Sequence, residues 1–368
     1  MCIDIFRGLL VAGMILVDNP GDDVKAYWPI KHAQWNGWTP ADFIFPSFLF
    51  LVGISLVFSY SARLRRGESR QRILYHALKR SLILIAIGLF VNGFPLFHLA
   101  DYRWEGVTQR IALCYFLSAI LVLWSDWRGQ LAAIAVCLFG YWALMRFVPV
   151  PGFGVPGRDI PFLDPDRNIG AWLDRKLFMG HLYDGTRDPE GIISTIPAVA
   201  TCLIGVLTGQ WLRSGSSPRK KALTMLAAGV LGLIAGKIWN VWFPINKNVW
   251  TSSFVVFAAG FSLVFLAFLY WMLEIQNWRG RWTMPILVFG MNAIAGFVAD
   301  SFVYGPGYSF NVTGPNGTAI TWHEYVNARL LSLVANPQFA SLLYSLAAVL
   351  FCWALLWLLW RKHILFKV

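Results

Sequence analysis

The sequence predicts an all-α membrane protein that crosses the bilayer about ten times, with both termini in the cytoplasm. Its 368 residues are 57% hydrophobic and only 14% charged, whereas soluble proteins carry roughly 25% charged residues. A hydrocarbon core about 30 Å thick is crossed by a helix of roughly 20 apolar residues. We predict such segments at 3–18, 40–60, 80–98, 107–125, 130–147, 192–212, 222–243, 250–273, 283–304 and 338–360.

Positive charge is concentrated in every second loop, which sets the predicted orientation of the chain. The basic groups follow the second, sixth, eighth and tenth segments and comprise Arg63, Arg65, Arg66, Arg70, Arg72, Lys79, Arg80, Arg213, Arg219, Lys220, Lys221, Arg279, Arg281, Arg361, Lys362 and Lys367. Cytoplasmic loops of membrane proteins are enriched in lysine and arginine. The net charge of +12 therefore reflects orientation in the membrane, and a nucleic-acid partner is not expected.

Three long outer loops are predicted, at 19–39, 148–191 and 305–337. All three contain proline and glycine, and 148–191 is also rich in aspartate; these residues favour turns over regular helix, and we expect the three loops to form a lid over an external cavity. Together with the helices they make residues 1–368 a single transmembrane domain. The five cysteines lie within or beside the apolar segments without ligand-like spacing, so neither a disulfide nor a metal site is expected.

The loop between the first and second segments places His32 among three tryptophans, with Asp42 just inside the next segment. Histidine titrates near neutral pH, and a carboxylate at membrane depth calls for a partner or a water-filled cavity. The pattern favours proton chemistry at His32, oriented by Asp42. Two other interpretations stay open, because the tryptophans suit an aromatic belt and Asp42 suits a helix cap. The remaining histidines are interpreted as solvated or interfacial: His76, His98, His181, His323 and His363.

Polar residues also interrupt the apolar segments. Arg7 lies in the first segment, Gln109-Arg110 in the fourth, Lys237 in the seventh and Asn292 in the ninth. Further polar clusters precede the sixth and eighth segments, at 187–191 and 244–253. Because ionisable groups are costly in lipid, several of them in one chain imply a polar path or cavity between the helices.

Taken in order, these motifs resemble the heparan-α-glucosaminide N-acetyltransferase family and its bacterial NagX-like members. The resemblance rests on Phe6-Arg7-Gly8, Asn19-Pro20-Gly21, the stretch from His32 to Asp42, Gln109-Arg110, Asp188-Pro189-Glu190-Gly191 and Asn246-Lys247-Asn248-Val249-Trp250. It implies transfer of an acetyl group from cytosolic acetyl-CoA to the amino group of a terminal glucosamine across the bilayer. The family's catalytic histidine matches His32. Its asparagine at the end of the first segment maps onto Asp18 or Asn19.

Candidate residues follow for three roles. The catalytic candidates are His32, Asn19, Asp18 and Asp42, with His32 as general base or, in the alternative, as carrier of the acetyl group. Asn19 or Asn248 would stabilise the oxyanion. The candidates for binding acetyl-CoA are Arg7, Arg80, Gln109, Arg110, Lys247, Asn248, Ser252 and Asn292, with Arg63, Arg65 and Arg66 as further cytoplasmic cations. The candidates for binding the amino sugar, by stacking and by pairing with its ammonium group, are Trp35, Trp38, Asp188 and Glu190.

The predicted function is that of a bacterial inner-membrane acetyltransferase for an amino sugar or a glycan, with His32 on the periplasmic side. Direct transfer is preferred to an acetyl-histidine route, because it needs only one site where thioester and amine meet. Two other classes fit the same residues: a transporter of amino sugars or their oligomers, and an O-acetyltransferase of periplasmic glycans. Membrane lipid is the expected surrounding, and the sequence leaves room for a homo-oligomer.

Overall fold

The computed structural model describes residues 1–314 and 317–366, and helices make up most of this part of the chain. Lys367, predicted to be a cytoplasmic cation, lies outside the described residues. The helices are α1 (Cys2–Asp18), α2 (Ile44–Arg65), α3 (Arg70–Gly93), α4 (Val107–Trp124), α5 (Trp127–Phe147), α6 (Ile169–Phe178), α7 (Ile192–Leu212), α8 (Pro218–Trp239), α9 (Ser252–Tyr270), α10 (Thr283–Met291), α11 (Ala293–Ser309), α12 (Trp322–Val334) and α13 (Pro337–Arg361). The short elements are 3₁₀ turns at Trp28–Ile30 and Pro40–Phe43, a π-turn at Trp271–Ile275, and an antiparallel hairpin of β1 (Asn311–Thr313) and β2 (Ala319–Thr321).

The all-α polytopic class is confirmed. Within the described residues, eight helical segments of 18 residues or more are apolar enough to cross a membrane. Helix α1 is shorter, with 17 residues, and α10 with α11 forms a further pair that is bent by 88°. The number of ten crossings goes beyond these eight helices and stays a prediction, as does the shared side of the two termini.

Two helices begin earlier than the spans predicted for them. The third span, predicted at 80–98, corresponds to α3, and the seventh, predicted at 222–243, corresponds to α8. Each helix starts at a serine cap. Ser69 Oγ accepts a hydrogen bond from Arg72 N at 3.3 Å, and Ser217 Oγ accepts the equivalent bond from a backbone N–H in the first turn of α8. Their basic first turns are helical although they are too polar for the lipid core, so hydropathy placed both spans too late.

The ninth span, predicted as one helix at 283–304, is broken, and that prediction was wrong. Helices α10 and α11 meet at 88° on either side of Asn292, whose backbone angles (φ −124°, ψ 44°) are not helical. The Asn292 side chain holds the end of the chain: its Nδ2 donates to Ile364 O at 3.1 Å, and its Oδ1 accepts from Phe366 N at 3.1 Å. Broken helices at membrane depth are tolerated where protein buries them or where they line a cavity.

The centre of the bundle is formed by α2, α7 and α9, which are the most buried spans. Glycines let their backbones touch. A Cβ atom on Gly53 would lie 1.9 Å from Cys202 O, and one on Gly205 would lie 2.0 Å from Phe50 O. Small residues permit this close approach between membrane helices. Helices α3, α5, α8 and α13 lie at the perimeter with largely exposed faces.

Gly8→Ala is expected to destabilise the protein by about 1–3 kcal/mol, the usual cost of overpacking. A Cβ atom on Gly8 would lie 2.1 Å from Ile286 O, a backbone atom of α10 that no rotamer change can move. Thermal unfolding in detergent, followed by tryptophan fluorescence, measures the loss. Gly140→Ala is the control, because nothing lies within 4 Å of a Cβ atom at that position. Equal effects of the two substitutions would contradict the packing argument.

The outer segments contain more regular structure than the predicted loops. Helix α6 lies within 148–191, and the β1–β2 hairpin and α12 lie within 305–337. The loop 19–39 packs against neighbouring outer elements. Trp35 Nε1 donates to Leu163 O at 2.9 Å. Gly37 N donates to the carbonyl oxygen of the turn before α9 at 2.8 Å. These contacts hold the loop that carries His32.

Candidate active site

His32 and Asp42 form a hydrogen-bonded pair at the start of α2. His32 Nδ1 lies 2.8 Å from Asp42 Oδ1, and because an ionised carboxylate only accepts hydrogen bonds, Nδ1 carries the proton. Asp42 Oδ2 accepts from Ala33 N at 3.2 Å and from Thr39 N at 2.9 Å. Asp42 is therefore both the cap of the 3₁₀ turn at Pro40–Phe43 and the partner of His32, which the sequence left as alternatives.

The pair combines a buried acid with an accessible imidazole. The Asp42 side chain is 1% exposed, whereas that of His32 is 44% exposed. With Nδ1 donating to the carboxylate, His32 Nε2 keeps its lone pair and can accept a proton from a bound substrate. An imidazole oriented by a buried carboxylate is the arrangement that general-base catalysis requires.

Lys247 joins this cluster from the turn between α8 and α9. Its Nζ lies 3.1 Å from His32 Nδ1, 3.4 Å from His32 Nε2 and 3.7 Å from Asp42 Oδ1. The motif predicts contacts of Lys247 and Asn248 with acetyl-CoA. The structure places Lys247 against the imidazole, and Asn248 Nδ2 lies 3.5 Å from Gln34 O in the loop of His32; their contacts with acetyl-CoA stay a prediction.

Asn19 is buried and links α1 to α11. Its Nδ2 donates to Asp300 Oδ1 at 2.6 Å and to Ile15 O at 2.9 Å. Both amide protons are thereby engaged, so Asn19 has none left for the oxyanion role considered from the sequence. Sequence reasoning missed Asp300, although a single carboxylate inside an apolar segment was the available signal.

Asp18 lies in different surroundings from Asn19. Its side chain is exposed, whereas that of Asn19 is buried. The charges of His32, Lys247 and Glu190 act on its carboxylate. Asp18 is therefore part of the polar region around the imidazole.

Asp188 and Glu190 share Arg103, a residue that sequence reasoning also missed. Arg103 Nε donates to Asp188 Oδ2 at 2.7 Å, and Nη2 donates to both Asp188 Oδ1 and Glu190 Oε2. Asp188 also accepts hydrogen bonds from the backbone of Tyr183 and Glu190. Burial opposes the charge on Arg103, but its hydrogen bonds to the two carboxylates outweigh burial and raise its pKa. Both Asp188 oxygens are engaged within the fold, which leaves Glu190 as the better candidate for a substrate contact.

A second buried group of charges, Glu105, Arg110 and Asp174, lies next to this ion pair. Among the described residues, neither Glu105 oxygen nor Arg110 Nε or Nη1 has a hydrogen-bond partner. Burial raises the pKa of Glu105 to about 9, and the negative charges of Asp174 and Asp188 add to this effect. Burial also raises the pKa of Asp174 to about 6. Arg110, predicted to bind acetyl-CoA, donates to Gly191 O at 3.1 Å.

Glu105→Gln is expected to stabilise the protein at alkaline pH. The pKa of Glu105 in the folded protein, about 9, exceeds its ordinary value of 4.5. The folded state therefore binds the Glu105 proton more tightly than the unfolded chain does. The stability that this bound proton contributes is lost as the pH rises from 4.5 to about 9. Glutamine stays neutral, so the free energy of unfolding should fall less between these pH values, by more than about 1 kcal/mol.

Chemical unfolding at several pH values measures this slope for Glu105→Gln and for the unsubstituted protein. Asp23→Asn, a change at an exposed outer carboxylate, is the control and should leave the slope unchanged. Parallel curves for Glu105→Gln and the unsubstituted protein would show that Glu105 is ionised at neutral pH.

A cavity of about 380 Å³ lies among α1, α2, α3, α4 and the α10–α11 break. Arg7 and Arg80, both predicted to bind acetyl-CoA, line it together with Tyr115. Arg7 Nη1 donates to Asp4 Oδ1 at 3.1 Å. Arg80 Nε is buried and has no hydrogen-bond partner among the described residues, and its guanidinium lies 4.9 Å from the centroid of the Tyr115 ring. The cavity is therefore lined by two guanidinium groups.

Two further residues predicted to bind acetyl-CoA, Gln109 and Ser252, use their side chains for hydrogen bonds within the fold, as Asn292 does. Gln109 Nε2 donates to Trp104 O at 3.2 Å, and Ser252 Oγ donates to Leu138 O at 2.7 Å. Both hydrogen bonds tie a helix start to a neighbouring element. Of the eight residues predicted to bind the donor, only Arg7 and Arg80 line the 380 Å³ cavity.

The two candidate tryptophans differ in their surroundings. Trp38 packs between Phe43 and Phe257, at 5.3 Å from each ring centroid, so its ring belongs to a hydrophobic cluster. Trp35 is half-buried, and the Arg187 guanidinium lies 5.4 Å from its ring. Trp35 is therefore the better candidate for stacking on a sugar.

His323 is buried, and its interpretation as a solvated or interfacial residue was wrong. Its Nε2 lies 2.7 Å from Pro20 O, so this nitrogen donates to the carbonyl. Its ring stacks on Tyr308 at 4.4 Å between centroids. Helix α12 uses this contact to hold the chain just after Asn19.

The sequence matches the family model described as "Heparan-alpha-glucosaminide N-acetyltransferase, catalytic" over residues 1–238, a range that includes both His32 and Asp42. It is 32% identical to the heparan-alpha-glucosaminide N-acetyltransferase of Mus musculus and 31% identical to that of Homo sapiens, over 81% and 80% of this chain. The chain spans about half the length of these relatives, 52% of each. The resemblance predicted from the motifs is confirmed: this multi-pass membrane protein belongs to the heparan-alpha-glucosaminide N-acetyltransferase family.

Proposed function

We propose that this protein is a transmembrane acetyltransferase of a bacterial inner membrane. It transfers the acetyl group of cytosolic acetyl-CoA to the amino group of a glucosamine-type sugar on the periplasmic side, and residues 1–368 act as one domain. The observation that carries the proposal is the His32–Asp42 pair, a buried carboxylate 2.8 Å from an accessible imidazole.

His32 supplies the base that an amine acceptor requires. The ammonium group of the sugar first gives one proton to water, because only the uncharged amine attacks the thioester of acetyl-CoA. As the bond from nitrogen to the acetyl carbon forms, the nitrogen gives its second proton to His32 Nε2. The carbon–sulfur bond then breaks, and the leaving thiolate takes that proton from the imidazolium. Asp42 keeps the proton on Nδ1, so that Nε2 is the accepting atom, and it balances the positive charge of the imidazolium.

The cavity at Arg7 and Arg80 fits an anionic donor. Arginine binds phosphate groups through paired N–H donors, and both Arg7 and Arg80 line the cavity. The cavity wall also includes Thr108, in the first turn of α4 at its predicted outer end. A single cavity thus reaches from cations in α1 and α3 toward the side on which His32 is predicted to lie. We assign Arg7 and Arg80 to the donor.

The polar region around His32 fits a cationic acceptor. The carboxyl groups of Asp18 and Glu190 lie in this region, and a carboxylate stabilises an ammonium group before it is deprotonated. The half-buried ring of Trp35 offers a surface for the sugar. We assign Asp18, Glu190 and Trp35 to the acceptor, and Asp188 to the structural ion pair with Arg103.

Incubation of purified protein in detergent with radiolabelled acetyl-CoA and glucosamine tests the enzyme against the transporter. Labelled acetylglucosamine formed without a sealed compartment is the expected result. No product in detergent, together with accumulation of labelled sugar in sealed proteoliposomes, would replace the proposal with transport.

The bond in the product separates N-acetylation from O-acetylation. Mild alkali removes an acetyl ester but leaves an acetyl amide intact. The expected product keeps its label after alkali treatment. Release of the label would identify a hydroxyl acceptor instead and would leave His32 as the base for that hydroxyl.

A further inference from the structure

The ammonium group of Lys247 lies against the His32 imidazole. From the sequence motif, Lys247 is predicted to contact acetyl-CoA. We propose that Lys247 is a positioning residue that holds His32 in its uncharged, proton-accepting form. The inference rests on the proposed function in one respect, that His32 acts as the base. It adds a third member to the catalytic cluster and gives Lys247 a role other than binding the donor.

The distances distinguish this contact from an ordinary ion pair. Lys247 Nζ is closer to the two ring nitrogens, at 3.1 and 3.4 Å, than to Asp42 Oδ1, at 3.7 Å. Nitrogen–oxygen distances in strong ion pairs are about 2.7–2.9 Å. The ammonium is thus placed against the ring, and its similar distance to both nitrogens means that it does not occupy the line of the Nε2 lone pair.

The fold fixes the position of Lys247. The turn that carries it is locked to the loop of His32 by a hydrogen bond from Asn246 Nδ2 to Asn36 Oδ1 at 3.1 Å. Thr251 Oγ1 closes the turn by donating to Pro244 O at 2.8 Å. The Lys247 side chain is only 19% exposed. Its ammonium group is therefore part of the site rather than a mobile surface charge.

The charges around His32 show why a base here needs a cation beside it. The Asp42 carboxylate is in direct contact with the ring. It favours the imidazolium form, whose Nε2 has no lone pair and cannot accept a proton. Lys247 opposes it at close range. The neighbouring Lys31 does not share this role, because its Nζ is turned away and donates to Val24 O.

The test is the pH dependence of acetyl transfer in Lys247→Met, Lys247→Arg and the matched control Lys31→Met. Loss of the cation should move the acid limb of the rate profile of Lys247→Met to higher pH by about one pH unit or more. The turnover number should fall below neutral pH while KM for acetyl-CoA stays unchanged. Lys247→Arg should keep the original limb, as should Lys31→Met. An unmoved limb in Lys247→Met, or a rise in KM alone, would overturn the proposal.

A second measurement needs no turnover. Nitrogen-15 shifts of the His32 ring, followed against pH in the full-length protein, report the charge of the imidazole directly. The imidazolium should persist to higher pH in Lys247→Met than in the unsubstituted protein or in Lys31→Met. Identical titrations would refute the role of Lys247 even in an active enzyme. A shifted titration in a protein that transfers no acetyl group would retain this inference and reject the proposed function.

Discussion

His32→Ala is expected to lower the rate of acetyl transfer by about 10²–10⁴-fold, the range over which general-base catalysis contributes. Alanine removes the only atom of the His32–Asp42 pair that is free to accept a proton, Nε2. The turnover number should fall while binding of acetyl-CoA is kept. Arg7 and Arg80, which are assigned to acetyl-CoA, line a cavity whose wall does not include His32. Steady-state kinetics with radiolabelled acetyl-CoA measure the rate, and equilibrium binding of CoA measures the donor site.

His98→Ala is the matched control, since His98 is an exposed histidine in an outer loop. It should retain full activity. If His32→Ala keeps activity close to that of the control, His32 is neither base nor nucleophile. If both CoA binding and activity disappear, the substitution has disturbed the fold, and His32→Gln would then separate structure from chemistry because it retains polarity without a titrating ring.

The His32–Asp42 pair was predictable because both residues belong to one short unit. They lie 10 positions apart, and the intervening Thr39-Pro40 indicates a helix start that turns the carboxylate back toward the loop. The eight apolar helices were predictable for a related reason. Apolar length is a property of each segment by itself, so no contact between segments has to be known.

The partners of the other candidate residues come from distant parts of the chain. Lys247 is 215 positions from His32, Asp300 is 281 from Asn19, and Arg103 is 85 from the carboxylate that it binds. Only the packing of the helices decides which of them meet, so the sequence predicted several of the residues but not their contacts.

The break at Asn292 illustrates the same point for the fold. Residues 283–304 are apolar throughout most of their length and read as one helix. At the break, Ile364 and Phe366 hydrogen-bond with the Asn292 side chain, and α10 lies close to Gly8. Neither contact leaves a trace in hydropathy. The break nevertheless matters for function, because both helices line the cavity assigned to the donor.

Arg103→Met is expected to destabilise the protein by about 3–5 kcal/mol, the cost of leaving a buried ion pair without one partner. The Asp188 side chain is fully buried, and Arg103 donates to both of its oxygens. The two backbone donors that remain do not neutralise the charge. Methionine has a similar length to arginine but carries no charge that could neutralise the Asp188 carboxylate. Denaturant unfolding in detergent, followed by tryptophan fluorescence, measures the loss.

Two further variants isolate the buried charge as the cause of this loss. Arg158→Met removes an exposed partner of Asp159 in the same outer segment, and it should leave stability unchanged because exposed ion pairs are screened by solvent. Adding Asp188→Asn to Arg103→Met should recover part of the stability, since it removes the uncompensated charge. Activity should fall in Arg103→Met as well, because Glu190 loses the arginine that fixes it beside Asp18. A loss no larger than that of Arg158→Met would mean that Asp188 is satisfied by the backbone alone, and the outer segment would then not depend on Arg103.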